Sequence, residues 1–214
     1  MATKFWIFDL DNTLHNATPH IFPHINRSMT AYLQQHLQLD EAEANKLRMH
    51  YWRRYGATLS GLMRHHGTDP SHFLWHTHQF PVLAQMVLHE PRLRHVLKAL
   101  PGRKVVFSNA PKHYAHEVLK LLRVDNLFDD VMTVERTRYH PKPDSYGFMH
   151  LMKRHSVNAS QCVMVEDSLE NLCAAKKLGM RTVWVNVGNK NSPYVDVKIR
   201  DVMRLPRMLH QLGK

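Results

Sequence analysis

Two carboxylates one residue apart, Asp9 and Asp11, follow the apolar run Phe5-Trp6-Ile7-Phe8. In extended chain, side chains at i and i+2 share a face. Like charges so placed repel unless a cation or an uneven proton load relieves them. The pair therefore points to a metal ion, a nucleophile with an acid/base partner, or both. Thr13 extends the pattern to Asp-x-Asp-x-Thr, and a plain turn seldom needs two acids and a threonine together. Three more groups follow: Ser108-Asn109 after Val105-Val106-Phe107, Lys142 between Pro141 and Pro143, and Glu166-Asp167 after Cys162 to Val165. Each has an ordinary reading when taken alone. Ser108-Asn109 suits a cap for a helix starting at Pro111. Lys142 suits a solvated charge, and Asp167 with Glu170 suits a capping box. Their order and their common place at or just after strand ends argue for one site instead.

The elements that must position these groups are legible as apolar runs. Phe5–Phe8, Lys104–Phe107, Val131–Val134, Cys162–Val165 and Arg181–Val187 read as five short strands. Most are continuously apolar rather than alternating, as in a parallel sheet covered on both faces. Helical spacing lies between them, at Tyr114, Val118, Leu121 and Leu122, at Phe148, Leu151 and Met152, and at Leu172, Ala175 and Leu178. Gly179 ends the last of these. This alternation predicts a Rossmann-like, doubly wound parallel α/β sheet. Residues 15–89 carry no convincing strand. Phe22, Ile25, Met29 and Leu33 mark one helix, Leu47, Tyr51 and Tyr55 a second, and Leu59, Leu62 and Met63 a third before Gly67. The expected division is an α/β core from 1–14 and 90–214, with a helical insertion at 15–89. The insertion must leave and re-enter beside Asp9 and Asp11, the edge where open α/β sheets bind ligands.

Composition narrows the partners. The chain has 214 residues, a formal net charge of +11 and 43% hydrophobic residues, which suits a soluble domain that attracts anions. Arg53-Arg54 between aromatics hints at nucleic acid, but no binding module surrounds it. Among the 18 histidines, His65-His66 and His76-x-His78 could ligate metal, yet no paired cysteines or H-E-x-x-H pattern supports them. Cys162 and Cys173 read as reduced thiols of a cytoplasmic protein. No run approaches the roughly 18 apolar residues that span a bilayer, and the two acids interrupt the one N-terminal apolar run, so no signal peptide is expected.

The four groups together resemble the haloacid dehalogenase superfamily of phosphohydrolases. Asp9-Leu10-Asp11-Asn12-Thr13, Ser108-Asn109-Ala110, Lys142-Pro143 and Glu166-Asp167-Ser168 stand in that superfamily's order. The insertion resembles its small helical cap. Within the superfamily, Phe8 to Leu14, Tyr55 to Met63 and Leu100 to Lys104 resemble the pyrimidine 5′-nucleotidase branch, although Glu166 stands where that branch more often has aspartate.

The resemblance implies a magnesium-dependent phosphatase working through an aspartyl-phosphate. Asp9 would be the nucleophile and Asp11 the acid/base group. Lys142, Ser108 and the Asn109 N–H would hold phosphate oxygens, with Thr13 and Asn171 in support. Magnesium would bind Asp9, the Asp11 carbonyl and Asp167, with Glu166 as a ligand or one shell out. Tyr55, Thr58, Leu59 and Met63 could face a nucleobase, or could be cap core. The expected partner is a small phosphorylated substrate. The pyrimidine nucleotidase reading has alternatives in a phosphatase of phosphoglycolate or a sugar phosphate, in a phosphomutase, and more distantly in a basic nucleic-acid-binding protein. Asp11 argues against dehalogenase chemistry, which lacks that acid.

Overall fold

The computed structural model describes residues 4–212, so the outer limits of the expected core, residues 1 and 214, lie outside them. Six parallel strands form one sheet in the order β3-β2-β1-β4-β5-β6. They are β1 (Phe5–Phe8), β2 (Arg103–Phe107), β3 (Asp130–Met132), β4 (Cys162–Glu166), β5 (Arg181–Val185) and β6 (Val197–Ile199). The sheet and its flanking helices agree with the expected doubly wound α/β class.

β1 lies at the centre, paired with β2 on one side and β4 on the other. Its alternate side chains serve two cores. Trp6 and Phe8 join Val106, Val163 and Val165 on one face. Phe5 and Ile7 join Val105, Phe107, Cys162 and Met164 on the other. Each large apolar side chain so buried contributes about 1.5–3 kcal/mol, which is why these strands read as unbroken apolar runs. The chain winds outward in both directions from β1, so a crevice opens beyond the carboxyl ends of β1 and β4.

Three strand expectations need correction. The third strand stops at Met132, two residues early. Thr133 Oγ1 turns to Glu135 Oε2 at 2.6 Å, and Val134 packs into the helical insertion instead. The fifth stops at Val185, and Val187 is 72% exposed. The sixth strand was not anticipated. It is short, and only Val197 and Ile199 of its residues are buried, so an edge strand with one wet face offers little apolar signal.

Between β1 and β2 the chain forms α1 (Ile21–Leu37), α2 (Glu41–Tyr55), α3 (Thr58–His66), α4 (Pro70–Thr77), α5 (Leu83–Met86) and α6 (Leu93–Ala99). The three expected helices are α1 to α3; α4 and α5 are additions. α2 starts in a capping box between Asp40 and Glu43 and ends at Gly56 with φ 77°, a left-handed turn that favours glycine. α3 doubles back tightly on α2, since a Cβ on Gly61 would stand 2.2 Å from Tyr51 Cγ. Tyr32, Leu33, Ala44, Tyr51, Leu59, Leu62, Phe73 and Leu74 form a third apolar cluster, which Val134 joins from the sheet side. The remaining helices are α7 (Lys112–Leu121), α8 (Ser145–His155) and α9 (Leu169–Lys177). Gly179, at φ 96°, lies just beyond α9 as expected. None of the described helices is long and apolar enough to cross a membrane.

Candidate active site

The crevice gathers groups from four separate stretches of chain. Asp9 is the residue after β1, and its N–H donates to Val165 O at 2.9 Å. Lys142, on the loop before α8, is 3% exposed. Its Nζ donates to Asp9 Oδ1 at 2.7 Å, Phe107 O at 2.7 Å and Glu166 Oε2 at 2.8 Å. All three ammonium protons are thereby used. Burial opposes the charge on Lys142, but attraction from Asp9 and Glu166 outweighs it and raises its pKa above the usual lysine value. Lys142 is thus a buried cation, not a solvated one.

Asn109 aims that lysine. Its side-chain oxygen accepts the Lys142 N–H at 2.7 Å, and its Nδ2 donates to Lys142 O at 3.0 Å. No side chain caps α7, whose N-cap is Pro111, so the capping reading of Ser108-Asn109 is corrected. Ser108 is buried at the end of β2, where its Oγ accepts the Ala110 N–H at 3.1 Å, leaving its own proton to donate. Asp167 caps nothing either. Ser168 is the N-cap of α9 and accepts from Asn171 N.

Glu166 is 1% exposed and accepts four hydrogen bonds. Oε1 takes the N–H groups of Asp167 and Ser168, each at 3.1 Å. Oε2 takes Lys142 Nζ at 2.8 Å and Asn171 Nδ2 at 3.0 Å. These account for the lone-pair directions of its carboxylate, so Glu166 fixes the lysine and the turn. Asn171, expected in support of the phosphate site, spends its amide on Glu166.

Asp9, Glu166 and Asp167 each offer a carboxylate oxygen within 4.8 Å of the others. Burial, then repulsion from Glu166, raises the Asp9 pKa well above the usual carboxylate range. The same two causes push Asp167 up to about 7. Three acids share one ammonium, and the donors are all oxygen, so the chemistry of the set fits a hard divalent cation such as magnesium. No histidine belongs to it. His65 and His66 instead pair with the hydroxyls of Tyr55 and Tyr51, at 2.6 and 2.8 Å, and His76 packs on the His72 ring.

Asp11 points elsewhere. Its Oδ1 accepts from Tyr114 OH at 2.6 Å and lies 2.8 Å from His15 Nε2. These two groups, not Thr13, hold its carboxylate. Thr13 is buried, with a hydroxyl that has no partner. The expected cap-facing set is largely drawn inward. Leu59 is buried, Met63 packs beside it, and Thr58 Oγ1 donates to Arg48 O at 3.1 Å. The backbone between them is better placed, since a Cβ on Gly56 would lie 4.0 Å from Pro143 Cδ.

Several residues had no role in the sequence reading. Tyr114 looked like one apolar position on a helix, yet a buried tyrosine hydroxyl needs a partner, and here it is Asp11. Asn12, at φ 61°, hydrogen-bonds Asp167 and accepts the Ala17 N–H at 3.0 Å. Trp184 Nε1 donates to Asp167 O at 2.8 Å.

Residues 6–185 match the family described as haloacid dehalogenase-like hydrolase. The chain belongs to that family. Among its relatives is a phosphoglycolate phosphatase of Colwellia psychrerythraea, 28% identical over 200 residues, covering 85% of this chain and 84% of that protein. Another is phosphate metabolism protein 8 of Saccharomyces cerevisiae, 24% identical and covering 84% of this chain. The chain spans 60% of the length of that yeast relative. A solved haloacid dehalogenase-type phosphatase from Thermococcus onnurineus superposes with a TM-score of 0.70 at 22% identity, covering 96% of this chain and 97% of the other. This dehalogenase-like hydrolase is thus similar in fold to a solved phosphatase and in sequence to a phosphoglycolate phosphatase.

Proposed function

We propose that the chain is a magnesium-dependent phosphomonoesterase that works through an aspartyl-phosphate on Asp9. The observation carrying this reading is the Lys142 ammonium 2.7 Å from Asp9 Oδ1, with a second aspartate held apart from it on other partners. A carboxylate nucleophile facing a phosphate dianion needs cations around it, and Lys142 supplies one charge. Magnesium held by Asp9 and Asp167, with the Asp11 carbonyl, would supply the rest and neutralise the transferring oxygens. The other oxygen of Asp9 attacks phosphorus while Asp11 protonates the departing ester oxygen. Asp11 then takes a proton from the water that cleaves the intermediate. The Ser108 hydroxyl and the Asn109 N–H donate to phosphate oxygens as charge shifts among them. Glu166, Asn171 and Asn109 keep Lys142 aimed, and Thr13 supports the loop.

We read residues 15–89 as the cap and 1–14 with 90–214 as the core, with the Gly56 turn against the Lys142 loop. The enzyme would work in the cytoplasm, where Cys162 and Cys173 stay reduced. Pyrimidine nucleoside monophosphates are the proposed substrates, on the likeness of Tyr55 to Met63. A second reading, phosphoglycolate or a related small ester, draws support from the Colwellia relative and from the inward packing of Thr58, Leu59 and Met63.

One assay tests both. Phosphate release is measured with magnesium on UMP, CMP, flavin mononucleotide, phosphoglycolate and sugar phosphates, with Asp9→Asn as control. Preference for UMP and CMP supports the nucleotidase; preference for phosphoglycolate replaces it. Release that persists in Asp9→Asn would sink the mechanism.

A further inference from the structure

We propose that Tyr114 is a positioning residue that fixes which oxygen of Asp11 carries the proton, with His15 as its second support. This rests on the reading of Asp11 as the acid/base group. Both contacts fall on one atom: Tyr114 OH reaches Asp11 Oδ1 at 2.6 Å and His15 Nε2 reaches it at 2.8 Å. The phenol can only donate to a carboxylate oxygen. For His15, Nδ1 is buried and has no partner. An orphaned N–H costs more than an orphaned lone pair, so the proton belongs on Nε2, and Nε2 donates too.

Two donors fill the lone pairs of Oδ1. A proton placed there would meet a donor hydrogen. Oδ2 is different: no hydrogen bond among the described residues ends on it, and the Asp11 side chain keeps 15% exposure. Oδ2 is therefore the oxygen that gives its proton to the ester oxygen as the phosphorus–oxygen bond breaks and the alcohol leaves. It is also the oxygen that takes one proton from water when Asp9 is released, which returns the site to its starting state.

The support is stiff. Tyr114 is 1% exposed, on the first turn of α7, with its ring 5.2 Å from Phe80 and 5.8 Å from His78 by centroid. His15 is 0% exposed at its side chain. One anchor comes from the helix after Ser108 and the other from the loop after β1. Asp11 thus has little freedom to swing, and a misplacement of about 1 Å can cost about 10²-fold in rate.

The test is kcat/KM for a series of aryl and alkyl phosphates with magnesium, since good leaving groups need no proton. Tyr114→Phe is expected to lower kcat/KM about 10- to 100-fold for alkyl esters but less than about threefold for p-nitrophenyl phosphate, within the range of acid–base help. The dependence on leaving-group pKa therefore steepens. An equal loss across the series marks a merely structural role and overturns the proposal, as does no loss at all. His15→Leu should steepen the dependence as well, and His15→Gln, which keeps a donor, should restore most of it. Equal behaviour of the two would remove His15 from the proposal, and these variants carry the test if Tyr114→Phe fails to fold. If Asp11→Asn leaves the wild-type dependence, the acid/base reading itself fails, whatever Tyr114 does.

Discussion

The sheet edge and the helical insertion are built on opposite terms. At the sheet edge, ionised groups are buried against one another, with Lys142 at 3% and Glu166 at 1% exposure. Every one of their hydrogen-bonding directions is used. In the insertion the buried groups are mostly apolar, with a few threonines such as Thr30, Thr58 and Thr77 among them, and charges such as Arg53 and Arg54 face solvent. Some of its polar pairs, such as Tyr55 with His65, are exposed. Taking charges out of water costs several kcal/mol each, and the cost is recovered only by tight mutual pairing. A region built that way tolerates almost no change. A region built on apolar area tolerates substitution of shape and polarity at its surface. The difference teaches where each proposed property is to be tested: chemistry at the edge, selectivity on the insertion.

Variants can break or sharpen that contrast. The largest effect is expected from Asp9→Asn, which should lower turnover by at least about 10⁴-fold on every substrate, read as phosphate release. A loss confined to one substrate class would move the nucleophile elsewhere.

Next is Lys142→Met. It leaves Asp9 and Glu166 buried without their cation and should cost about 3–5 kcal/mol, measured by urea unfolding. Magnesium should recover part of that loss, and a neutral result would mean the network is wetter than its geometry.

Gly61→Ala strikes the insertion alone, driving a methyl into the Tyr51 ring. A loss of about 1–3 kcal/mol is expected, with p-nitrophenyl phosphate turnover less affected than the selectivity between UMP and phosphoglycolate. Equal losses in both would show that the two regions are not separable.

The smallest effect concerns pH. Asp167 is raised to about 7, from an unfolded value near 3.8. Between those values the folded, metal-free protein holds the extra proton, so this group's contribution is full at low pH and is lost as pH rises through about 7. Magnesium competes with that proton. The rise in Tm on adding magnesium should therefore be several degrees larger at pH 8 than at pH 6. Equal rises would remove Asp167 from the metal site. No such pH dependence is expected from the insertion.

Much of this was legible in the chain itself. All five expected strands begin within a residue of where they lie, because a strand buried on both faces must be apolar at nearly every position. Asp9, Lys142 and Glu166 could be placed at one edge because each follows such a run or the loop after it. β6 escaped because three residues with one wet face carry no distinctive pattern. The side-chain partners of Asn109 and Asn171 were not legible for another reason. An amide reads alike whether it will face a phosphate or clamp a lysine, and only its neighbour decides.

The sequence by itself determined the class of fold, and it supplied the candidate reacting groups and their order along the chain. Apolar periodicity and charge are properties of the residues themselves, and they survive without coordinates. Only the tertiary structure decided who holds whom: that Asn109 clamps the Lys142 backbone from 33 positions away, that Glu166 spends its carboxylate on four donors, and that Tyr114, 103 positions from Asp11, reaches its carboxylate. Those pairings arise where strand ends from distant parts of the chain converge. Packing of the sheet fixes their distances, and no local pattern encodes them.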